Sequence, residues 1–400
     1  MTELKSLLSA EPEEAKITDA AIQAAREMIG LILRPEGPYL QDATHDTLRN
    51  FCNGIGDLNP LYRDQDYARA TRHGGQIAHP MFPYAYGWPG RTRWGLPGVH
   101  GFYAGNDWEF FRSVRPGDQV SCVERVIGVE EKTSRFSGRL VLQYVQASFV
   151  NQRDELIADV LGWCTRHERR AAREAGKYRD IKRHTYAPEE VARIEELGLA
   201  EQDQIAGKAT RYFEDMTEGD ELPPIVRGPL SLMDTIGFLV GCGRGKTHGV
   251  LLQEAVRHPS HFFRSEQAGQ GVEYTGIGHH REEIAQSVGA PGTYDYGPQR
   301  TAWIASLVTN WMGDAAFLKR LRAEMRGFNT VGDTTWCKGK VVRKYEKDGY
   351  PLVDLEVWAE NQRGEVTAPG VATVMVPSRQ VDSPIVLDAS SLRLDLPLIR

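Results

Sequence analysis

Cysteine is scarce and unpatterned: five residues in 400, Cys52, Cys122, Cys164, Cys242 and Cys337, with no CxxC spacing among them. That argues against a zinc site or a disulfide framework and predicts reduced, mostly buried thiols. No apolar run approaches the roughly 18 residues a spanning helix needs. The start, MTELKSLLSAEPEEAK, has neither the basic end nor the apolar core of a secretion signal. The expected setting is the cytoplasm, with no membrane partner. Positive charge is also in deficit: a net charge of −6 and a pI near 6.0 argue against a nucleic-acid binder. Local basic groups remain at Arg91 and Arg93 and at 167–170, where they suit either an anionic ligand or a solvated surface.

What is present, 41% hydrophobic residues over this length, suits a soluble globular protein of two domains or one duplicated domain. Apolar spacing predicts a helix over 18–33, stopped by Pro35 and Gly37, and a second with Leu48, Phe51, Cys52 and Ile55 on one face. Gly54 and Gly56 end that second helix, and the turn Asp57–Pro60 reverses the chain, because Pro disfavours helix at the residue before it. After the apolar stretch 81–88, the runs 106–114, 119–129, 134–149 and 155–164 have strand composition and read as an antiparallel meander. A long helix against such a sheet gives an α+β layer. Residues 169–206 are charged, with few large apolar side chains, and read as a linker.

Beyond the linker the order recurs. Ser231 and Asp234 form a capping signal for a helix whose expected core face is Leu232, Ile236, Leu239 and Val240. Ile304, Val308, Trp311 and Met312 mark a long apolar helix. The pair Gly117–Asp118 returns at Gly332–Asp333, and Asn151–Gln152–Arg153 returns at Asn361–Gln362–Arg363, offsets of 215 and 210 residues. A tandem duplication is expected. Its parts are an N-terminal extension (1–35), a first copy (36–168), the linker (169–206), a second copy (207–378) with an insertion at 244–278, and a tail (379–400).

Gly56–Asp57–Leu58–Asn59–Pro60–Leu61–Tyr62, followed by Ala68 and by Ile77–Ala78–His79, resembles the signature of the MaoC-like hydratases and dehydratases. That signature is Gly-Asp-x-Asn-Pro-x-His, an Ala six residues after the His, and an Ile-Ala-His-Gly start to the central helix. The resemblance implies a tandem double hot-dog fold, each half a long central helix packed on an antiparallel sheet, with a first copy like the amino-terminal dehydratase domain of fused members. It implies reversible syn addition of water to a 2-enoyl thioester on coenzyme A, giving an (R)-3-hydroxyacyl product. An Asp and a His hold and deprotonate the water, and a backbone N–H at the helix start stabilises the thioester enolate. The chemistry needs no metal, and coenzyme A enters only as part of the substrate.

Both halves depart from the signature. In the first, Asp57 and Asn59 match, Tyr62 stands at the His position, and Pro80, which has no N–H, stands at the oxyanion Gly position. In the second, His279 precedes Ala285 by six residues and Gly297 stands at the helix start, while Tyr274 occupies the Asp position with Glu273 beside it. The second copy is therefore expected to work through His279 and Gly297, with Glu273 or Asp295 supplying the carboxylate. Asp57 is either a remnant or a partner in a composite site with His279. Asn59, Tyr62 and Tyr274 are expected to contact substrate, and Arg91, Arg93 and Arg300 to meet the coenzyme phosphates. The leading expectation is an (R)-specific enoyl-CoA hydratase or 3-hydroxyacyl-CoA dehydratase for a bulky or branched acyl group, forming a homodimer or higher homo-oligomer. A hot-dog thioesterase and a non-catalytic acyl-CoA-binding subunit are the alternatives.

Overall fold

The computed structural model describes Leu8 and residues 15–33, 40–90, 94–134, 136–178 and 180–387. The first half runs α1 (Asp19–Glu27), β1 (Ile32–Leu33), α2 (His45–Ile55), α3 (Pro60–Arg63), α4 (Gln65–Arg69), a 3-10 turn (Phe82–Ala85), β2 (His100–Phe110), β3 (Val120–Ser134), β4 (Gly138–Asn151) and β5 (Leu156–His167). Two helices follow, α5 (Arg169–Ala175) and α6 (Pro188–Gln204), in the stretch expected to be a linker. The second half runs β6 (Glu221–Arg227), α7 (Leu232–Gly241), α8 (His248–Arg257), β7 (Phe262–Ser265), β8 (Gly271–Tyr274), α9 (Glu282–Ser287), α10 (Gly297–Met312), β9 (Phe317–Glu324), β10 (Thr335–Lys347), β11 (Tyr350–Asn361) and β12 (Val366–Met375).

Ten strands form one sheet in the order β1-β3-β4-β5-β2-β9-β12-β11-β10-β6. Every pairing is antiparallel, and the halves meet where β2 pairs with β9, Trp108 opposite Leu321. Ion pairs fasten this seam: Arg320 grips both Asp107 oxygens, and Lys319 Nζ lies 2.6 Å from Glu109 Oε1. The repeated motifs do the same work twice. Asn151 Nδ2 donates to Glu155 at 2.7 Å, and Asn361 Nδ2 donates to Glu365 at 2.8 Å. Arg153 reaches Asp118 at 2.9 Å, and Arg363 reaches Asp333 at 2.7 Å. Each circuit ties a hairpin turn to the Gly-Asp turn that opens its sheet. The fold is an α+β double hot-dog.

The second half has the long central helix. Every residue of α10 from Pro298 to Met312 is buried, the polar Gln299, Arg300 and Ser306 with hydrogen-bond partners of their own, and Gly313, at φ +73°, ends it. The expectation of an equal helix in the first half is corrected. Met81–Trp88 makes one 3-10 turn, because Pro80 and Pro83 withhold donors and Gly87, Pro89 and Gly90 stop propagation. Its aromatic side chains fill the place of a helix: Trp88 stacks on Phe238, ring centroids 5.6 Å apart, in one core with α10.

Two smaller expectations also change. The first helix ends at Glu27, since Gly30 turns at φ +97° and donates to Val126, leading the chain into β1. The face expected to be the core of α7 is largely solvent-exposed, with Leu232, Ile236 and Val240 at 41%, 43% and 62%. Its buried side is Thr235, Phe238 and Gly241. The reason is a close backbone crossing with α2, where a Cβ on Gly54 would stand 2.6 Å from the Gly237 carbonyl and one on Gly241 2.8 Å from that of Asn50.

Candidate active site

In the first half, Thr44 caps α2 and Gly56 ends it in the left-handed region at φ +69°. Asp57 then accepts the Asn59 N–H through Oδ1 at 2.9 Å, and Asn59 Oδ1 caps the next turn through the Leu61 N–H at 3.1 Å. This is the self-bonding turn its Asp and Asn predict. Asp57 is fully buried, and its second oxygen has no hydrogen-bond partner. His79 Nε2 lies 3.7 Å from that oxygen and 3.3 Å from Ser306 Oγ of α10. The Met81 N–H donates to His79 Nδ1 at 3.2 Å, which assigns the ring proton to Nε2. Burial pulls the His79 pKa down to about 4 against the opposing pull of Asp57, so the ring is neutral at pH 7. Tyr62 stands edge-on to it at 5.3 Å. A narrow cavity of about 40 Å³ is lined by Tyr62, His79, Pro80, Arg112, Met312 and Phe317 among others. This half has a buried carboxylate and imidazole but no N–H at Pro80.

In the second half, His279 ends a short 3-10 turn, and its Nδ1 lies 2.9 Å from the Tyr294 carbonyl oxygen. Nδ1 therefore carries the proton and Nε2 is left as the basic nitrogen. The ring stacks on Tyr296 at 3.8 Å and leans on Tyr294 at 4.3 Å. Burial pulls its pKa down to about 3, outweighing the Tyr294 carbonyl, so this ring too is neutral at pH 7. Gly297 is the first residue of α10, where an N–H has no partner inside the helix and the helix dipole favours negative charge. His279 and Gly297 are thus brought to one place, the 294–297 turn.

The carboxylates expected beside His279 are corrected. Glu273 accepts Nε and an NH2 of Arg281 at 2.9 and 2.6 Å, and Asp295 is bound by Arg300 within the core. Arg300 is corrected with them: 2% exposed, it also donates to the carbonyls of Gly327 and Thr367, so it faces no phosphate. Tyr274 lies on the β7–β8 hairpin, 37% exposed. Arg91 and Arg93 lie outside the described residues. A composite of Asp57 with His279 does not form. His79, the neighbour of Asp57, meets Ser306, while His279 packs at Tyr296. At 1.5 Å per residue those points are roughly 15 Å apart along the helix.

Sequence reasoning missed His79 as the neighbour of Asp57, although Ile77–Ala78–His79 was in view as a mark for the helix start. It also missed Tyr84, Tyr103 and Asn106, which gather at the first turn of α10. No local pattern announces them, since β2 reaches that helix only through the seam.

Residues 38–160 match the family of the FAS1-like dehydratase domain region. A UPF0336 protein of Streptomyces coelicolor is 24% identical over 111 residues, 26% of this chain and 73% of that protein. Among solved structures, a MaoC-like dehydratase superposes with a TM-score of 0.59 at 17% identity, covering 88% of this chain and 98% of that one. A MaoC domain protein dehydratase from Chloroflexus aurantiacus gives 0.54 at 14% identity over 88% and 96%. A conserved hypothetical protein from Mycobacterium tuberculosis with a double hotdog fold gives 0.50 at 11% over 87% and 96%. The molecule is a double hot-dog protein. Within that class it has the fold of the MaoC-like dehydratases, and residues 38–160 of its first half match a FAS1-like dehydratase region.

Proposed function

We propose that the protein reversibly hydrates a 2-enoyl-CoA to an (R)-3-hydroxyacyl-CoA, working in its second half. The observation that carries this reading is the pairing of a neutral imidazole, held through Nδ1 by a backbone carbonyl, with Gly297 at the start of the buried helix α10. In dehydration, His279 Nε2 takes the proton from the α-carbon. The charge that develops on the thioester oxygen meets the Gly297 N–H and the helix dipole. A thioesterase would need a carboxylate free to direct water, and the two nearest, Glu273 and Asp295, are held in ion pairs.

A bulky or branched acyl group suits the first half. Where a second long helix would put backbone at the seam, the first half has only the four-residue 3-10 turn Phe82–Ala85. The test uses purified protein with crotonyl-CoA and longer and branched 2-enoyl-CoAs. Loss of the conjugated thioester without release of free thiol is expected. Thiol release instead would establish the thioesterase, and no turnover of any ester would establish a binding subunit.

A further inference from the structure

The ring of Tyr103, from the seam strand β2 of the first half, lies against Gly297 so closely that a Cβ there would stand 2.3 Å from its Cδ1. Its hydroxyl is 3.0 Å from that of Tyr84, and the Asn106 amide donates to both. Trp108 Nε1 also donates to the Tyr84 hydroxyl, at 3.3 Å. A hydroxyl accepts two hydrogen bonds and donates one. Tyr84, accepting from Asn106 and Trp108, has its proton to give to Tyr103 or to Thr301, both hydrogen-bond partners of its hydroxyl. Tyr103 accepts from Asn106 and, since both acceptor positions of Tyr84 are filled, has its own proton left to give elsewhere. That proton faces Thr301, one turn into α10, whose hydroxyl is itself committed to the Gly297 carbonyl at 3.1 Å. The cluster thus leaves the Tyr103 proton aimed at Thr301, at the start of the helix.

The reading of the preceding subsection, on which this inference rests, leaves one role unfilled. Removing water takes one group to accept the α-proton and a donor to protonate the departing hydroxyl, and the carboxylates near His279 are engaged elsewhere. We propose that Tyr103, contributed by the first half, is the second proton-transfer group of the site in the second half. In dehydration the Cα–H bond gives its proton to His279 Nε2 and its electron pair to the new C=C bond. The Cβ–O bond breaks, and the leaving oxygen takes the Tyr103 proton to depart as water. The proton on His279 then passes to the Tyr103 oxygen, so both groups are restored. Hydration runs the same steps backwards. Burial pushes the Tyr103 pKa well above the ordinary tyrosine range, so the hydroxyl is protonated at pH 7 as a donor must be.

The full-length protein is compared with its Tyr103→Phe, Tyr84→Phe and His279→Ala variants on whichever enoyl-CoA the wild type hydrates fastest. Tyr103→Phe keeps the ring on Gly297 and is expected to lower kcat by about 100-fold or more, with KM within about threefold. Tyr84→Phe leaves Asn106 in place to orient Tyr103 and is expected to cost under about tenfold. Replacing Tyr103 by 3,5-difluorotyrosine, which shifts the acidity of the hydroxyl and keeps the ring, is expected to move the pH dependence of kcat. A hydroxyl that merely packs would move only the melting temperature. If Tyr103→Phe keeps more than half of wild-type kcat while His279→Ala is dead, this inference is overturned and the hydratase reading stands. If His279→Ala keeps full activity, the hydratase reading itself is the one that fails.

Discussion

The two halves repeat the same hairpin circuits and part most sharply at the start of the central helix. Gly297 opens sixteen helical residues in the second half, whereas the 3-10 turn beyond Pro80 spans four in the first. The half that kept the turn bearing Asp57 lost the helix and its N-terminal N–H groups. The half that kept the helix lost the Asp and acquired an insertion. What a duplicated fold conserves most tightly is therefore the scaffold, such as Asn151 with Glu155 and Asn361 with Glu365, while the chemistry is free to drift in each copy separately.

The sharpest way to break that comparison is to remove one reactive group from each half. His279→Ala is expected to lower hydration by at least about 100-fold, and Asp57→Asn, which keeps the Oδ1 acceptor for Asn59, by less than about tenfold. The opposite ranking in steady-state assays would make the first half the working one.

Acid compares the halves next. His79 is neutral in the folded protein, with a pKa of about 4, and titrates near 6.5 when unfolded. The unfolded chain therefore binds more protons between those values. Stability is full above about pH 6.5 and falls as the pH drops toward 4, by about 3 kcal/mol from this residue alone. Denaturant melts of His79→Gln from pH 7 to 4 are expected to show a shallower loss than the wild type, and an unchanged slope would refute the assignment.

At the helix crossing the halves should respond unequally to one methyl group. Gly54→Ala drives a Cβ into the Gly237 carbonyl and is expected to cost about 2–3 kcal/mol. Gly237→Ala meets nothing within 4 Å and should be neutral or stabilise by up to about 1 kcal/mol. Equal melting temperatures for the two variants would contradict the close crossing.

The smallest difference lies in the paired circuits. Arg363→Ala uncovers Asp333, 1% exposed, and is expected to cost about 2 kcal/mol. Arg153→Ala breaks the equivalent pair from a side chain 55% exposed and should change the melting temperature much less. A larger loss from Arg153 would reverse the ranking of the circuits.

The helix α2, the strand segments of the first half and the repeat offsets were legible because each is written locally, in apolar period, turn residues or spacing; the expected meander order was not, since β2 pairs with β5 and β9 and not with β3. The missing central helix was legible too, in Pro80, Pro83, Gly87 and Pro89, but the resemblance to a helical family overrode those breakers. Burial assignments failed where backbone crossings decided them. Leu232, Ile236 and Val240 look like a core stripe until Gly237 and Gly241 turn the other side of α7 toward α2. Arg300 and Asp295 read as site residues because they flank Gly297, yet five positions apart near a helix start they meet each other. Tyr103 and Asn106 were out of reach, since their partners Tyr84 and Thr301 come together only after the fold closes.

The placement of α10 also sets a timetable for synthesis. Phe82, Tyr84, Trp88 and Trp108 share one continuous core with a helix that ends at Met312. The last strand of the first half ends at His167, and at ~5–20 residues per second the ribosome needs roughly 7–29 s more to deliver that helix. Until β9 follows that helix and pairs with it, β2 is an open sheet edge, the kind of surface on which unfinished chains aggregate. A chain stalled at residue 296 should be cut by protease within 80–110, and one stalled far enough past Glu324 to free both α10 and β9 from the ribosome should resist. The first half is made early and finished late.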